Sequence, residues 1–243
     1  MTGRLTGQVA WISGAARGIG AATARLFAAE GASLVVADLR DAEGRKLVDE
    51  VTAAGGRAVY SRCDVSCGDD VHTSIESAVR HFGGLHIVIN CAGIVHVALL
   101  HDYESEQWDK LLSVNVKGIF LAMKYAYPHL RRQPRSYMVN VGSISSFVGQ
   151  RGTPAYTASK GAVLSLSQSI ALDYAAMGLR CNCVCPGITD TPMLREHLDS
   201  TPRPDETLRR RVRRVALNRA LNPEEVARTM LYLSWPESGG GTG

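Results

Sequence analysis

The sequence has no CxxC pair, no histidines at metal-ligand spacing and no uninterrupted apolar run long enough to cross a membrane. Each absence excludes a class of protein. The six cysteines (Cys63, Cys67, Cys91, Cys181, Cys183 and Cys185) match neither a disulfide framework nor a zinc pattern, and they read as reduced thiols in a reducing compartment. Three of them alternate along one candidate strand, where steps of about 6.6 Å per pair suit small buried hydrophobes better than a tetrahedral metal site. No metal is therefore expected. The opening residues, MTGRLTGQVAWISG, contain no apolar segment ahead of a cleavage site, and the longest apolar stretch, Leu85 to Leu100, is interrupted by His86, Asn90 and His96. These features predict neither secretion nor a membrane partner, which leaves the cytoplasm. The net charge of +4 is mild for 243 residues and predicts no nucleic-acid partner. Charge is concentrated in one place, at Arg209, Arg210, Arg211, Arg213 and Arg214.

What is present is alternation. Apolar, β-branched runs recur between longer segments of helical period, the pattern of βαβ units on a parallel sheet buried on both faces. Strands are predicted at Gln8–Ser13, Ser33–Asp38, Arg57–Cys63, His86–Asn90, Ser136–Val141 and Leu179–Cys185. Helices are predicted at Gly18–Glu30, Asp41–Ala54, Gly68–Phe82, Glu104–Leu130 and Pro154–Met177, with short pieces near Met193–Leu198 and Asp205–Val215. A last helix begins at Pro223, with Asn222 as cap and Glu225 at the capping-box position. The chain has no internal repeat, and its first low-complexity stretch is the terminal SGGGTG. The expected fold is α/β: a doubly wound, Rossmann-type parallel sheet with helices on both faces, in a single domain over 1–243.

The first strand runs directly into Gly14-Ala15-Ala16-Arg17-Gly18-Ile19-Gly20 and then a helix. Small residues there let the backbone turn tightly and approach a pyrophosphate, whose charge is met by amides and the positive end of the helix dipole. Asp38 closes the second strand, where a carboxylate can accept hydrogen bonds from adenosine ribose hydroxyls. A 2′-phosphate about 4 Å from that carboxylate would be repelled by ~1 to 4 kcal/mol. The expected cofactor is therefore NAD. Arg17 is free to point to solvent or to assist a phosphate.

Tyr156 and Lys160 open a long helix, and a spacing of four puts phenol and ammonium on one face. A free tyrosine titrates near 10, so keeping a phenol ionised near neutral pH costs about 4 kcal/mol. A nearby ammonium and a cationic nicotinamide can supply that, and the phenolate can then take an alcohol proton as hydride leaves carbon. Ser143 lies just past the fifth strand, at the carboxyl edge where open α/β sheets place ligands, and its hydroxyl can hold a substrate oxygen. Asn115 sits in a helical pattern that gives asparagine no advantage.

Gly14-xxx-Gly18-x-Gly20, Asp38, Asp64-Val65, Asn90-Cys-Ala-Gly93, Asn115, Ser143, Tyr156-xxx-Lys160 and Pro186-Gly187 occur in the order of the short-chain dehydrogenase/reductase family, which the chain resembles from residue 5 to about 235. The resemblance implies an oxidoreductase of single-domain Rossmann fold that acts on secondary alcohols or ketones. It implies Tyr156 as general acid/base, Lys160 on the nicotinamide ribose and stabilising the phenolate, Ser143 orienting the substrate, and Asn115 helping to hold a relay water. For the cofactor it implies Ser13 and the turn residues Gly14, Arg17, Gly18, Ile19 and Gly20, with Asp38 on the ribose and Asp64 and Val65 at the adenine. Asn90 would lie against the adenosine ribose and brace the sheet, beside Ala92 and Gly93. Pro186, Gly187, Thr189 and Thr191 would complete the site at the carboxamide end. A homotetramer or homodimer through the two long helices is also implied.

The chain departs from the family at several points. Ser13 stands where the family usually has Thr, Cys91 replaces a common second Asn, and Thr189 replaces a common Ile or Val. The family continues past the last helix into another strand, whereas this chain stops at Gly243, so it is either truncated there or its sheet lacks the last edge strand. The arginine run falls in a segment that forms a substrate lid in the family, about 189–220. It is either a solvated helix face or an attraction for an anionic substrate such as a hydroxy acid or sugar acid. Likeness of the stretch from Arg180 to Leu194 to relatives that act on polyols, hydroxybutyrate or sugar acids points to a small polar substrate. The competing readings are an NADP-dependent 3-oxoacyl-type ketoreductase and a non-catalytic dinucleotide-binding module.

Overall fold

The computed structural model describes residues 3–199 and 201–243. Its strands are β1 (Val9–Ser13), β2 (Ser33–Asp38), β3 (Arg57–Arg62), β4 (Ile87–Asn90), β5 (Ser136–Val141) and β6 (Leu179–Val184). They form one sheet in the order β3-β2-β1-β4-β5-β6, and every neighbouring pair is parallel. Three helices precede the fourth strand: α1 (Gly18–Ala29), α2 (Asp41–Ala53) and α3 (Gly68–Phe82). The rest are α4 (Ser105–Leu112), α5 (Gly118–Leu130), α6 (Pro154–Tyr174), α7 (Pro192–Asp199), α8 (Pro204–Val212) and α9 (Pro223–Leu233). The doubly wound expectation is met, and each predicted strand is present within a residue of its predicted limits.

Side chains alternate across a strand, so a sheet covered on both faces builds two cores. Val9 and Trp11 of β1 join Val35, Val71, Ile75, Met138 and Val163 beneath α3, α5 and α6. Ala10 and Ile12 join Phe27, Leu34, Leu47, Ile89, Val226 and Met230 beneath α1, α2 and α9. Each fully buried aliphatic or aromatic side chain contributes about 1.5–3 kcal/mol of transfer free energy. Two polar groups that enter these cores are paired. The indole Nε1 of Trp11 donates to Ser74 Oγ at 2.8 Å, and Nδ1 of His86 accepts the Val9 N–H at 3.1 Å. Burial holds His86 below the ordinary histidine range, consistent with a neutral ring that accepts.

The predicted helix Glu104–Leu130 is continuous but not uniform. Between α4 and α5 the backbone widens into a π-turn over Ser113–Lys117, and this turn carries the buried Asn115. A single-turn π-bulge inside an α-helix reorients a side chain that regular geometry would aim elsewhere. Helix α9 starts as predicted: Asn222 and Glu225 form a reciprocal capping box, and Arg219 bonds both carboxylate oxygens of Glu225. That guanidinium, with the Asn222 amide, pulls the Glu225 carboxyl down to about 2. The outer strand on one side is β6. The tail crosses its middle: the Gly243 N–H donates to the Cys181 carbonyl at 2.9 Å, and the Asn182 side-chain amide donates to the Gly241 carbonyl at 3.2 Å.

The Trp11 contact yields a test. Ser74→Ala leaves a buried indole N–H without an acceptor, which costs about 1–3 kcal/mol. The urea midpoint is expected to fall accordingly while the unfolding slope stays constant.

Candidate active site

The strand order reverses between β1 and β4, and the register brings Ser13 level with Asn90 on one side and Ala37 on the other. Ligands of open α/β sheets bind in the crevice that such a reversal opens at the carboxyl ends of the strands. A cleft of about 600 Å³ lies there.

The glycine-rich turn forms its floor. Gly14 has φ +61°, and a Cβ on it would fall 2.7 Å from the backbone of Ala92. A Cβ on Gly20 would fall 2.1 Å from the Gly14 carbonyl oxygen. Only glycine lets β1, α1 and the segment after β4 approach this closely. The N-terminus of α1 has no side-chain cap and no acidic residue in its first turn, so its orphan amides and positive dipole end face the cleft uncompensated. This cradle fits a pyrophosphate. Asp38 sits at the tip of β2 with both oxygens engaged: Oδ2 accepts the Ala16 amide at 2.9 Å and Oδ1 the Arg40 amide at 3.0 Å. The carboxylate is thereby held as a lining group at one end of the cleft. Arg17 also lines it, with its guanidinium paired to Glu196 of α7. Asp64 Oδ1 accepts both the amide and the hydroxyl of Ser66, which fixes the turn carrying Asp64 and Val65 into the cleft wall.

At the other end stand Ser143, Tyr156 and Lys160. Ser143 follows β5, and its Oγ accepts the Ser145 amide at 3.1 Å, leaving its own O–H available to donate. Lys160 is buried, and its ammonium donates to the Val141 carbonyl at 2.7 Å. From there it lies 5.6 Å from the centroid of the Tyr156 ring. The long stem of Lys160 is thus pinned at the tip of β5, and its charge faces the phenol from across one helical turn. Cys91, also on the wall, is pushed up to about 12 by burial, so it is a neutral thiol.

Of the residues anticipated from the sequence, Gly14, Arg17, Gly18, Ile19, Gly20, Asp38, Asp64, Val65, Ala92, Gly93, Ser143, Tyr156, Lys160, Pro186, Gly187, Thr189 and Thr191 all line this one cleft. Ser13, Asn90 and Asn115 do not. Ser13 is buried behind the turn, its Oγ 3.4 Å from the Ala92 amide nitrogen that donates to it. Asn90 donates to Asn140 at 2.7 Å, and Asn140 donates to Ser167 at 2.9 Å, a polar chain that ties β4 to β5 and α6 inside the sheet. The brace expected of Asn90 is there, whereas its side chain is turned away from the cleft. Asn115 bonds both polar groups of Ile94, to the amide at 2.8 Å and the carbonyl at 3.0 Å, and donates to Ser159. It acts on the cleft through the backbone it holds.

Sequence reasoning missed the apolar wall of Ile94, Val95, Ile144, Met193 and Leu194, and also His197 and Arg40. Nothing distinguishes those aliphatics from core residues in one sequence. The arginine run did signal Arg211, which alone of the five enters the lining, while Arg209, Arg210, Arg213 and Arg214 are exposed. The segment 189–220 carries α7 and α8. Thr191 accepts the Leu194 amide at 3.2 Å, capping α7, and a single bridge joins Thr189 to Leu221 where the segment leaves and returns.

A glycine-floored crevice with a carboxylate at one end and a Ser-Tyr-Lys group at the other defines a nicotinamide-dependent oxidoreductase. Comparison with known proteins agrees. A family model described as "Enoyl-(Acyl carrier protein) reductase" matches residues 14–243. The 3-alpha-(or 20-beta)-hydroxysteroid dehydrogenase of Mycobacterium tuberculosis is 36% identical over 243 residues, spanning 100% of this chain and 88% of that protein. The 2,5-dichloro-2,5-cyclohexadiene-1,4-diol dehydrogenase LinX of Sphingobium indicum is 34% identical over 238 residues, 98% of this chain and 93% of that one. Among solved structures, ligand-free aldohexose dehydrogenase (AldT) of Thermoplasma acidophilum superposes with a TM-score of 0.88 at 30% identity, covering 100% of this chain and 92% of that one. The chain belongs to the short-chain dehydrogenase/reductase family. It is an oxidoreductase that acts on CH–OH groups with a nicotinamide cofactor and a small-molecule substrate.

The close approach at the turn is testable. Gly14→Ala combines a left-handed backbone, which costs a residue with a Cβ about 1–2 kcal/mol, with an overlap against Ala92. Reduced-dinucleotide fluorescence titration is expected to show weakened binding, and thermal unfolding a lowered midpoint.

Proposed function

We propose that the chain transfers a hydride between NAD(H) and a small polar secondary alcohol or ketone, with Tyr156 as general acid/base. The carrying observation is the Lys160 ammonium, pinned by Val141 and standing 5.6 Å from the Tyr156 ring, in the same cleft as Ser143 and Asp38.

When bound, the dinucleotide supplies the hydride acceptor or donor at its nicotinamide. The protein's own groups do the rest. Ser143 donates its hydroxyl hydrogen to the substrate oxygen and orients the carbon. Tyr156 removes the alcohol proton in oxidation and returns it in reduction. Lys160 stabilises the phenolate by charge, and its burial strengthens that interaction relative to water. The proton then leaves through Lys160 and a water held near Asn115, whose side chain keeps the Ile94 segment in place.

The preference for NAD rests on Asp38. Its carboxylate is clamped by two amides and lines the cleft, so it stays where a 2′-phosphate would meet it. Arg17, the cation of the glycine-rich turn, is engaged by Glu196, and Arg40 lies 3.3 Å from Glu43. Relatives whose names specify a hydroxysteroid, a diol or an aldohexose support a hydroxyl-bearing substrate. Among the described residues no helix is long and apolar enough to cross a membrane. We assign the protein to the cytoplasm as a homotetramer or homodimer.

Two measurements test this reading. Tyr156→Phe is expected to retain dinucleotide binding and to lose about 10²- to 10⁴-fold in kcat, the range for a positioned acid or base. Lys160→Ala is expected to lose both, and equal activity in either variant would overturn the mechanism. Wild type should use NAD far better than NADP, whereas Asp38→Ala should narrow that ratio by about 10-fold or more as the charge repulsion is removed.

A further inference from the structure

The arginine run divides by environment. Four of its members are exposed, whereas Arg211 of α8 is half-buried and lines the cleft. Its Nη2 meets Nε2 of His197 on α7. Arginine only donates, so the imidazole nitrogen accepts and the ring is neutral. Desolvation, and next the Arg211 charge, hold His197 below the ordinary histidine range, in keeping with that tautomer. Desolvation, followed by Arg210, also lowers Arg211. Among the described residues no carboxylate lies within ion-pair distance of Arg211. A partly desolvated guanidinium oriented by a neutral donor-acceptor ring, with no carboxylate paired to it among the described residues, is suited to receive an anion.

The position of α7 indicates which anion. Its first residues abut the glycine-rich turn, with Thr191 and Pro192 about 3.5–3.6 Å from a Cβ built on Gly18. Glu196 turns back to Arg17 on that side. Successive helical residues point about 100° apart, so His197 faces elsewhere, on the same face as Met193 and Leu194 three and four residues earlier. Those two are cleft-lining residues as well. The phosphate side of α7 thus carries the Arg17–Glu196 pair, and the lid side carries His197 and Arg211.

We propose that Arg211, oriented by His197, binds an anionic group on the substrate, a carboxylate of a hydroxy acid, and so selects acids over neutral alcohols. Arg211 is the binding residue, and His197 is a positioning residue. The inference rests on the dehydrogenase reading above and narrows its substrate class. The cofactor's phosphates share the chemistry of an anion, and the test separates the two sources.

Wild type, Arg211→Met, Arg211→Lys and Arg210→Met are assayed with NAD on four- to six-carbon 2- and 3-hydroxy carboxylates and on the uncharged secondary alcohols that match them. Wild type is expected to prefer the acids. Arg211→Met should reduce the acid-to-alcohol ratio of kcat/KM by about 10- to 100-fold, mainly through KM, as expected on losing a charged hydrogen bond. Arg211→Lys should recover part of that ratio, and Arg210→Met should leave it as in wild type. An unchanged ratio in Arg211→Met overturns the proposal. So does an equal loss in reduced-dinucleotide affinity, which would make the guanidinium a cofactor contact. Calorimetric titration of unreactive butanoate into the enzyme saturated with reduced dinucleotide gives a readout without turnover. Binding to wild type and not to Arg211→Met supports the proposal, and no binding to wild type overturns it. Should neither acids nor alcohols turn over while butanoate binding follows Arg211, the dehydrogenase reading fails and the anion site stands.

Discussion

The molecule depends on how closely two strands and a helix converge at one point. The end of β1, the start of α1 and the backbone after β4 meet at Gly14, where a Cβ would fall 2.7 Å from Ala92, and at Gly20, where it would fall 2.1 Å from the Gly14 carbonyl. Side chains are excluded there, so main-chain amides and the helix dipole form the surface that a ligand meets. The sheet reverses its strand order at the same point. Topology opens the crevice, and the missing Cβ atoms make its floor polar.

Everything else in the cleft is set by distance from that floor. The carboxylate of Asp38 is tied to the glycine-rich turn by the Ala16 amide, which fixes the acidic end of the cleft against its floor. The Asn90–Asn140–Ser167 chain locks β4 to β5 and α6, and Lys160 on α6 is bonded to Val141 at the tip of β5. Buried polar contacts therefore join β4, β5 and α6, the helix that carries Tyr156 and Lys160. Buried polar chains of this kind stabilise little unless every member is satisfied, and these are.

Much of the architecture was legible because it follows from periodicity. Strands buried on both faces read as apolar runs, and the Asn222–Glu225 capping box was visible as residue types at fixed offsets. The glycines, Asp38, Tyr156 and Lys160 were legible as residues of one cleft because their types and spacing stand out against a helical or strand background. Two kinds of information were hidden. The π-turn over Ser113–Lys117 has no sequence signature, so one helix was expected and the aim of Asn115 could not be read. Whether Asn90 faces a ligand or a neighbouring strand depends on which partner reaches it, here Asn140, fifty positions further on. The apolar lining from Ile94, Ile144 and Met193 looked like ordinary core for the same reason: a concave wall and a packed interior use the same side chains.

The bridge between Thr189 and Leu221 brings together the two ends of the excursion that carries α7 and α8. A segment whose ends already touch is geometrically closed, so its interior is free to vary in length and composition without displacing the strands beneath it. The strands and helices that carry Ser143, Tyr156 and Lys160 lie outside that excursion. A lineage could exchange this flap wholesale, inheriting the reaction unchanged while acquiring a new diet of molecules.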